Sequence, residues 1–205
     1  GGCCPSLAEL ELDNCRLSDH AIERLAAALA TTHSVAQLCT RLPLSRLSVQ
    51  LTTIKGRSAG VQRLAEVLSS TPALRAGLES LSLRRGHRLH HGDMGALLSG
   101  IGGFVAPADC SANAVIPFGG ELSQLRSLNL SENLLSNSMA PALVRLLERC
   151  PRLEALDISY NALGDEAIAA VGAALARCCP RLKQVRAGGN RFGDAGAAAL
   201  LAAVT

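Results

Sequence analysis

Hydrophobic residues return along this chain on a fixed template. Three stretches near the C-terminal end align without gaps: LRSLNLSENLL from Leu125, LEALDISYNAL from Leu153 and LKQVRAGGNRF from Leu182. In the first, Leu125, Leu128, Leu130, Asn133 and Leu135 hold the pattern positions. In the second these are Leu153, Leu156, Ile158, Asn161 and Leu163, and in the third Leu182, Val185, Ala187, Asn190 and Phe192. The starts lie 28 and 29 residues apart. The same line stands near the beginning as LAELELDNCRL, built on Leu7, Leu10, Leu12, Cys15 and Leu17. Two weaker copies, LSRLSVQLTTI from Leu44 and LESLSLRRGHR from Leu78, bring the expected number to about six.

Alternation within each line predicts a short strand whose apolar residues point to one side and whose intervening residues point to the other. Cys15, Asn133, Asn161 and Asn190 fall where the chain turns away from the strand. An amide at that position can pair backbone groups that would otherwise be buried unsatisfied, at a cost of roughly 1–3 kcal/mol each. Apolar residues at helical spacing follow, such as Ala21, Leu25 and Leu29 in the first unit and Ala167, Val171 and Leu175 in the fifth. Asp165 and Asp194 stand near helix starts, where a short acceptor and a negative charge are favoured. The helices are expected to end on a repeated phrase, CCPSL at 3–7, RCPRL at 149–153 and CCPRL at 178–182, in which Pro stops the helix.

The pattern L-x-x-L-x-L-x-x-N/C-x-L at this period resembles the ribonuclease-inhibitor type of leucine-rich repeat. The same type occurs in NOD-like receptors, in the GTPase-activating protein for Ran and in cytoskeletal and axonemal proteins. The resemblance covers most of the chain and does not select among those families. It implies an α/β solenoid shaped as a horseshoe, with parallel strands on the concave face and helices on the convex face. A solenoid needs polar caps at its ends. The opening GGCCPSL reads as the tail of a preceding helix and AGAAALLAAVT as a helix without a following layer. Residues 1–205 are therefore expected to form one domain that is a segment of a longer array.

The pattern breaks twice. From Leu78 to Leu125 is 47 residues, and the stretch 101–120, rich in Gly, Pro, Ala and Ser, is expected to be a long loop insertion carrying Phe104, Ile116 and Phe118. From Leu7 to Leu44 is 37 residues, again an irregular connection.

Composition narrows the core and the partners. Hydrophobic residues make up 48% of the chain but aromatics only 2%, so the core must be aliphatic. The formal charge of +3 is too mild to argue for nucleic acid or an anionic membrane, and neither is expected as a partner. No stretch has the length of a membrane span. Cys4, Cys150 and Cys179 each stand three residues before a repeat starts, so repeat spacing accounts for them better than zinc ligation or disulfides do. Buried, reduced thiols are expected, which points to the cytoplasm, with association to cytoskeleton or cilium as a variant.

Candidate chemistry is sparse. LRRGHRLHHGD, residues 83–93, gathers Arg84, Arg85, His87, Arg88, His90 and His91 beside Asp93, with Gly86 where the turn Asn would stand. It reads as a solvated basic turn, a patch for an acidic partner or, least of all, a metal site. Gly100 to Gly103 follow a helical stretch rather than a strand, so they do not form a phosphate cradle. No catalytic constellation stands out; no cofactor and no metal are expected. On the strand face, alternation turns outward Glu9, Glu11 and Asp13, then Arg46 and Gln50, then Glu79, Arg84 and Arg85. Arg126, Asn129 and Glu132 follow, then Glu154, Asp157 and Tyr160, then Lys183 and Arg186. Tyr and Arg most often dominate interface energetics. The candidate partner-binding residues are therefore Arg84, Arg85, Arg126, Asp157, Tyr160 and Arg186, with Tyr160, the sole tyrosine, as the best anchor. The expected function is a non-catalytic scaffold for protein partners. The alternatives are a small-GTPase activator, the ligand-sensing region of a NOD-like receptor and a structural part of a cytoskeletal or ciliary assembly.

Overall fold

In a computed structural model of the chain, residues 7–35, 44–51, 54–86, 88–102 and 122–204 are described. Six strands form one parallel sheet in chain order: β1 Glu9–Leu12, β2 Arg46–Gln50, β3 Ser80–Arg84, β4 Ser127–Asn129, β5 Ala155–Asp157 and β6 Gln184–Arg186. Helices lie between them: α1 Asp19–Val35, α2 Ala59–Ser70, the short α3 Pro72–Gly77, α4 His91–Gly102, α5 Ala140–Leu147, α6 Asp165–Cys178 and α7 Asp194–Val204. The main helices stack in the order α1-α2-α4-α5-α6-α7. This is a leucine-rich-repeat solenoid, with the sheet on the concave side and the helices outside it.

Register keeps equivalent residues side by side. Leu10 pairs Leu47, Leu47 pairs Leu81, Leu81 pairs Leu128, Leu128 pairs Leu156 and Leu156 pairs Val185. Leu47, Leu81, Leu128 and Leu156 are each no more than 1% exposed. The aliphatic slot of one repeat thus continues into the next, and one core runs through the array. Burial of Ile22, Ala26 and Leu29 defines the inward stripe of α1, so the first helix turns by one position from the Ala21/Leu25/Leu29 line read from the sequence.

Close helix contacts explain two glycines. A Cβ on Gly60 would sit 2.4 Å from the Asp19 carbonyl oxygen, and one on Gly100 would sit 2.3 Å from that of Ala65. Both lie where a helix meets its neighbour, so only hydrogen fits. The helix ends carry a buried cation as well. Arg75, 2% exposed, donates from Nη1 to the carbonyls of Leu68 (3.1 Å), Gly100 (3.3 Å) and Ile101 (2.8 Å). Burial lowers its pKa to about 10.

Asn133, Asn161 and Asn190 stitch the strands' exits together. Asn161 Nδ2 donates to Ile158 O in its own repeat (3.0 Å) and to Leu130 O in the preceding one (3.0 Å), while its Oδ1 accepts from Leu135 N (3.0 Å). Asn190 repeats this with Ala187 O, Ile158 O and Leu163 N. Asn133 donates to Leu130 O and back to Leu83 O, but its Oδ1 accepts from Gly86 N (2.8 Å). A Cβ on Gly86 would lie 2.6 Å from that oxygen. The third repeat therefore lacks its own turn amide because the next repeat's amide occupies the space.

A second set of links joins the helix starts. Asp165 Oδ1 accepts from Gly193 N and Gly196 N, both at 2.8 Å. It therefore serves the start of α7 rather than its own helix, whose N-cap is Gly164. Asp19 accepts from Ser58 Oγ and Gly60 N at the start of α2.

Three expectations change. The insertion cannot begin at residue 101, because α4 runs to Gly102 and Ile101 is a core residue. The rest of 101–120 lies outside the described residues, as do Cys3, Cys4, Cys39 and Cys110. Gln50, at an outward position of β2, is only 2% exposed, because its register partner Arg84 reaches across to Asp13 on the first strand's turn. Burial of the thiols holds at Cys150 and Cys179, is partial at Cys178 and fails at Cys15, which is exposed on the first strand's turn and donates from Sγ to Asp13 O at 3.5 Å.

Two outcomes follow from these contacts. Asn161→Ala removes the partner of four backbone groups, Leu135 N and the carbonyls of Leu130, Ile158 and Ser159, and is expected to cost about 3 kcal/mol, measured as a shift in the urea midpoint. Asn190→Ala, at the half-buried edge, should cost less. Burial raises Cys150 to about 12 and Cys179 to about 11. The folded thiols stay protonated where unfolded ones ionise, so stability should fall as pH climbs from the ordinary thiol value toward those figures. In the native state iodoacetamide should label Cys15 and spare both, as read by peptide mass spectrometry.

Candidate functional site

The strand face is built from charges that alternation turns outward, and the structure pairs nearly all of them across strands. Arg46 reaches Glu9 at 3.3 Å and Arg84 reaches Asp13 at 2.5 Å, which ties the acidic first repeat to the basic middle. Arg85 meets Glu132 at 3.1 Å. Glu154 lies between Arg126 (2.9 Å) and Lys183 (2.7 Å), and Arg186 approaches Asp157 at 3.9 Å. The Lys183 hydrogen bond, with Arg126 adding to it, holds the Glu154 carboxyl below the usual carboxylate range. Exposed pairs of this kind contribute about 0–1 kcal/mol each, so a partner can compete for them.

The six candidate residues do not form one cluster. Arg126 stands at the entry ends of the strands with Glu154 and Lys183. Asp157 and Arg186 are register partners at the last positions of β5 and β6. Arg84, Arg85 and Tyr160 lie at the exit ends. Arg85, Glu132 and Tyr160 share one repeat position, and each has a positive φ, of 62°, 56° and 53°. Asn14 (56°) and Gly189 (71°) belong to the same row, which Leu51 interrupts in the second repeat. Left-handed backbone costs a non-glycine residue roughly 1–2 kcal/mol, and here the repeat geometry imposes it. It swings these side chains toward the rim.

Tyr160 is 68% exposed. Its ring lies on the next repeat's turn, where a Cβ on Gly189 would come within 2.6 Å of Cδ1, and its N–H donates to Gly188 O at 2.8 Å. The ring is thus held by backbone while its outer surface stays open. Arg84 is more committed, with a side chain only 28% exposed and Nε lacking an acceptor among the described residues.

Alternation read residue by residue overlooked the floor between the charges. Ser48, Ser80 and Ser127 occupy outward positions of β2, β3 and β4 and, with Glu11, Glu79, Arg46 and Arg126 around them, line a trough of 310 Å³. The signal in the sequence is serine at outward positions of adjacent strands, Ser80 and Ser127 side by side and Ser48 one outward step further along β2. Their alignment emerges only from the register.

The basic turn 83–93 is divided by the fold. Arg84 and Arg85 serve the strand face. Asp93 is 1% exposed and accepts from Ser58 N (2.7 Å) and Gln62 Nε2 (2.8 Å), away from a ligand role beside the histidines. Arg88, His90 and His91 are exposed, and His87 lies outside the described residues. Among the described residues no three His, Cys, Asp or Glu side chains come together as a metal site. None of the described helices is long and apolar enough to cross a membrane.

Residues 149–172 match the family model described as Leucine Rich repeat. A relative from Bos taurus, NACHT, LRR and PYD domains-containing protein 5, is 29% identical over 169 residues, covering 81% of this chain and 15% of the relative. The chain thus spans only a small part of that protein's length. Among solved structures, an internalin (inlF) from Listeria monocytogenes matches 96% of this chain and 59% of its own at 16% identity and a TM-score of 0.30. The LRR ectodomain of the receptor kinase SOBIR1 from Arabidopsis thaliana matches 84% and 95% at 13% identity and a TM-score of 0.30. The repeat line, the parallel sheet with its asparagine links and the matched family model together make this chain a leucine-rich repeat protein, of a subfamily that none of these features selects.

Proposed function

We propose that this protein is a non-catalytic scaffold that binds a protein partner on its strand face. The observation that carries the reading is the serine-floored trough across β2 to β4, with open charge pairs around it and Tyr160 exposed beyond them. A trough of 310 Å³ accepts one or two side chains of a partner, and its Ser hydroxyls and flanking Arg and Glu groups can exchange hydrogen bonds with it. Tyr160 adds rigid, amphipathic contact area of the type that dominates binding energy. A reducing, cytoplasmic setting belongs to the same proposal and is supported by the buried, protonated thiols of Cys150 and Cys179.

A second reading, the ligand-sensing region of a NOD-like receptor, is favoured by one observation, the 29% identity to the Bos taurus protein whose name carries NACHT and PYD domains. The full-length transcript tests it. An upstream nucleotide-binding domain would support the reading, and a transcript without one would end it.

The scaffold reading is tested by quantitative affinity purification of the full protein beside a Tyr160→Ala/Ser80→Arg variant, which removes the anchor and fills the trough. Both positions face solvent, so circular dichroism and the melting temperature should barely change. Selective loss of one or a few co-purifying proteins is the expected result, with affinity falling by about tenfold or more. An unchanged set of partners would remove the strand face as the binding surface.

A further inference from the structure

The turns that leave β2 and β3 run side by side. Gly56 N donates to Arg88 O and His90 N donates to Gly56 O, both at 2.9 Å, which makes a parallel bridge between Gly56 and Leu89. That bridge places Lys55 opposite Arg88 and Arg57 opposite His90. Leu89 points inward at 4% exposed, so its neighbours on either side point out. All four basic residues are exposed. The result is a two-by-two block of cationic and donor side chains, with rows about 5 Å apart and columns about 7 Å long from strand geometry. Gly56 lies at its centre with nothing within 4 Å of where a Cβ would stand, which leaves a notch between the side chains.

The block differs from the strand face in one respect. There each cation has a carboxylate beside it, whereas Lys55, Arg57 and Arg88 have none among the described residues. The flanking carboxylates are committed elsewhere. Asp19 holds Ser58 and Gly60, and buried Asp93 holds Ser58 and Gln62. His90 Nδ1 accepts from Gly92 N at 3.1 Å, which leaves Nε2 as the donor of this exposed side chain. Like charges placed directly opposite one another destabilise a ladder, and an anionic partner would relieve that.

We propose that this block is a docking site for an acidic segment of a protein partner, lying extended across the two turns with carboxylates at alternate positions. An extended peptide sets alternate side chains about 7 Å apart, matching Lys55 to Arg57 and Arg88 to His90. A polypeptide fits better than the other polyanions. The described exposed large hydrophobics are Leu7, Tyr160 and Leu201, none of them on this rim, so nothing there would enter a bilayer or stack on nucleobases. The site is separate from the trough, and either reading can fail without the other.

The test titrates the full protein with a short fluorescein-labelled peptide of alternating Glu and Ser at low ionic strength. Arg57→Glu/Arg88→Glu should weaken binding by about tenfold or more, and Arg57→Gln/Arg88→Gln by less. Arg181→Glu/Arg191→Glu, which reverses the same number of exposed charges in the last repeat, should leave it nearly unchanged. The neutral variant should melt no lower than the wild type, because it removes a repulsion. The proposal is overturned if the peptide does not bind, if the two charge reversals weaken it equally, or if a short single-stranded RNA or phosphatidylserine vesicles bind this block more tightly than the peptide. A binding change with Tyr160→Ala/Ser80→Arg but not with the rim variants would likewise place the acidic segment on the strand face and overturn it.

Discussion

Each repeat of this protein is too thin to bury its own backbone at the point where the strand ends, and the asparagine amide solves that for two repeats at once. Its donor hydrogens reach the carbonyl of its own strand and that of the preceding one, and its oxygen takes a neighbour's N–H. The same amide therefore closes a turn and sets the spacing to the next layer. Everything on the strand face inherits this spacing, including the row of left-handed residues that carries Arg85, Glu132 and Tyr160. The Asp165 and Asp19 links perform a matching task where the helices begin, by satisfying N–H groups that a helix start leaves open.

Regular spacing has a consequence for charge. Residues far apart in the chain become neighbours at strand distance, so the sum of charges matters less than which signs the register brings together. On the strand face the register joins opposite signs, and the face becomes a mosaic of weak pairs that a partner can rearrange at small cost. On the turns after β2 and β3 it joins like signs, and the same rule produces an unneutralised basic block. A net charge of +3 describes neither surface.

The third repeat departs most from the template, and its neighbours explain why it is tolerated. Gly86 has no side chain because Asn133 fills the space, and Asn133 in return bonds Gly86 N. Buried Arg75 binds carbonyls at the ends of α2 and α4, which ties the two helix termini together. A weak motif in one repeat is thus supported from both sides, as expected for an array whose stability is carried by contacts between adjacent units.

Much of the architecture was legible in the sequence because it is local and periodic. Leucine spacing announced the strands, proline the helix ends, and asparagine the turn, each through chemistry that acts within a few residues. The sequence also determined which residues alternate outward, and with that the candidates Arg84, Arg85, Arg126, Asp157, Tyr160 and Arg186. What it could not determine is which outward residues meet. The pairing of Arg84 with Asp13 spans 71 positions, and that of Lys55 with Arg88 depends on a bridge through a glycine. The burial of Gln50 and the first helix's shifted stripe likewise depend on what packs above and beside them. Only the tertiary structure decided these matters, because the number of residues between strands varies from repeat to repeat, and register, not sequence distance, chooses the neighbours.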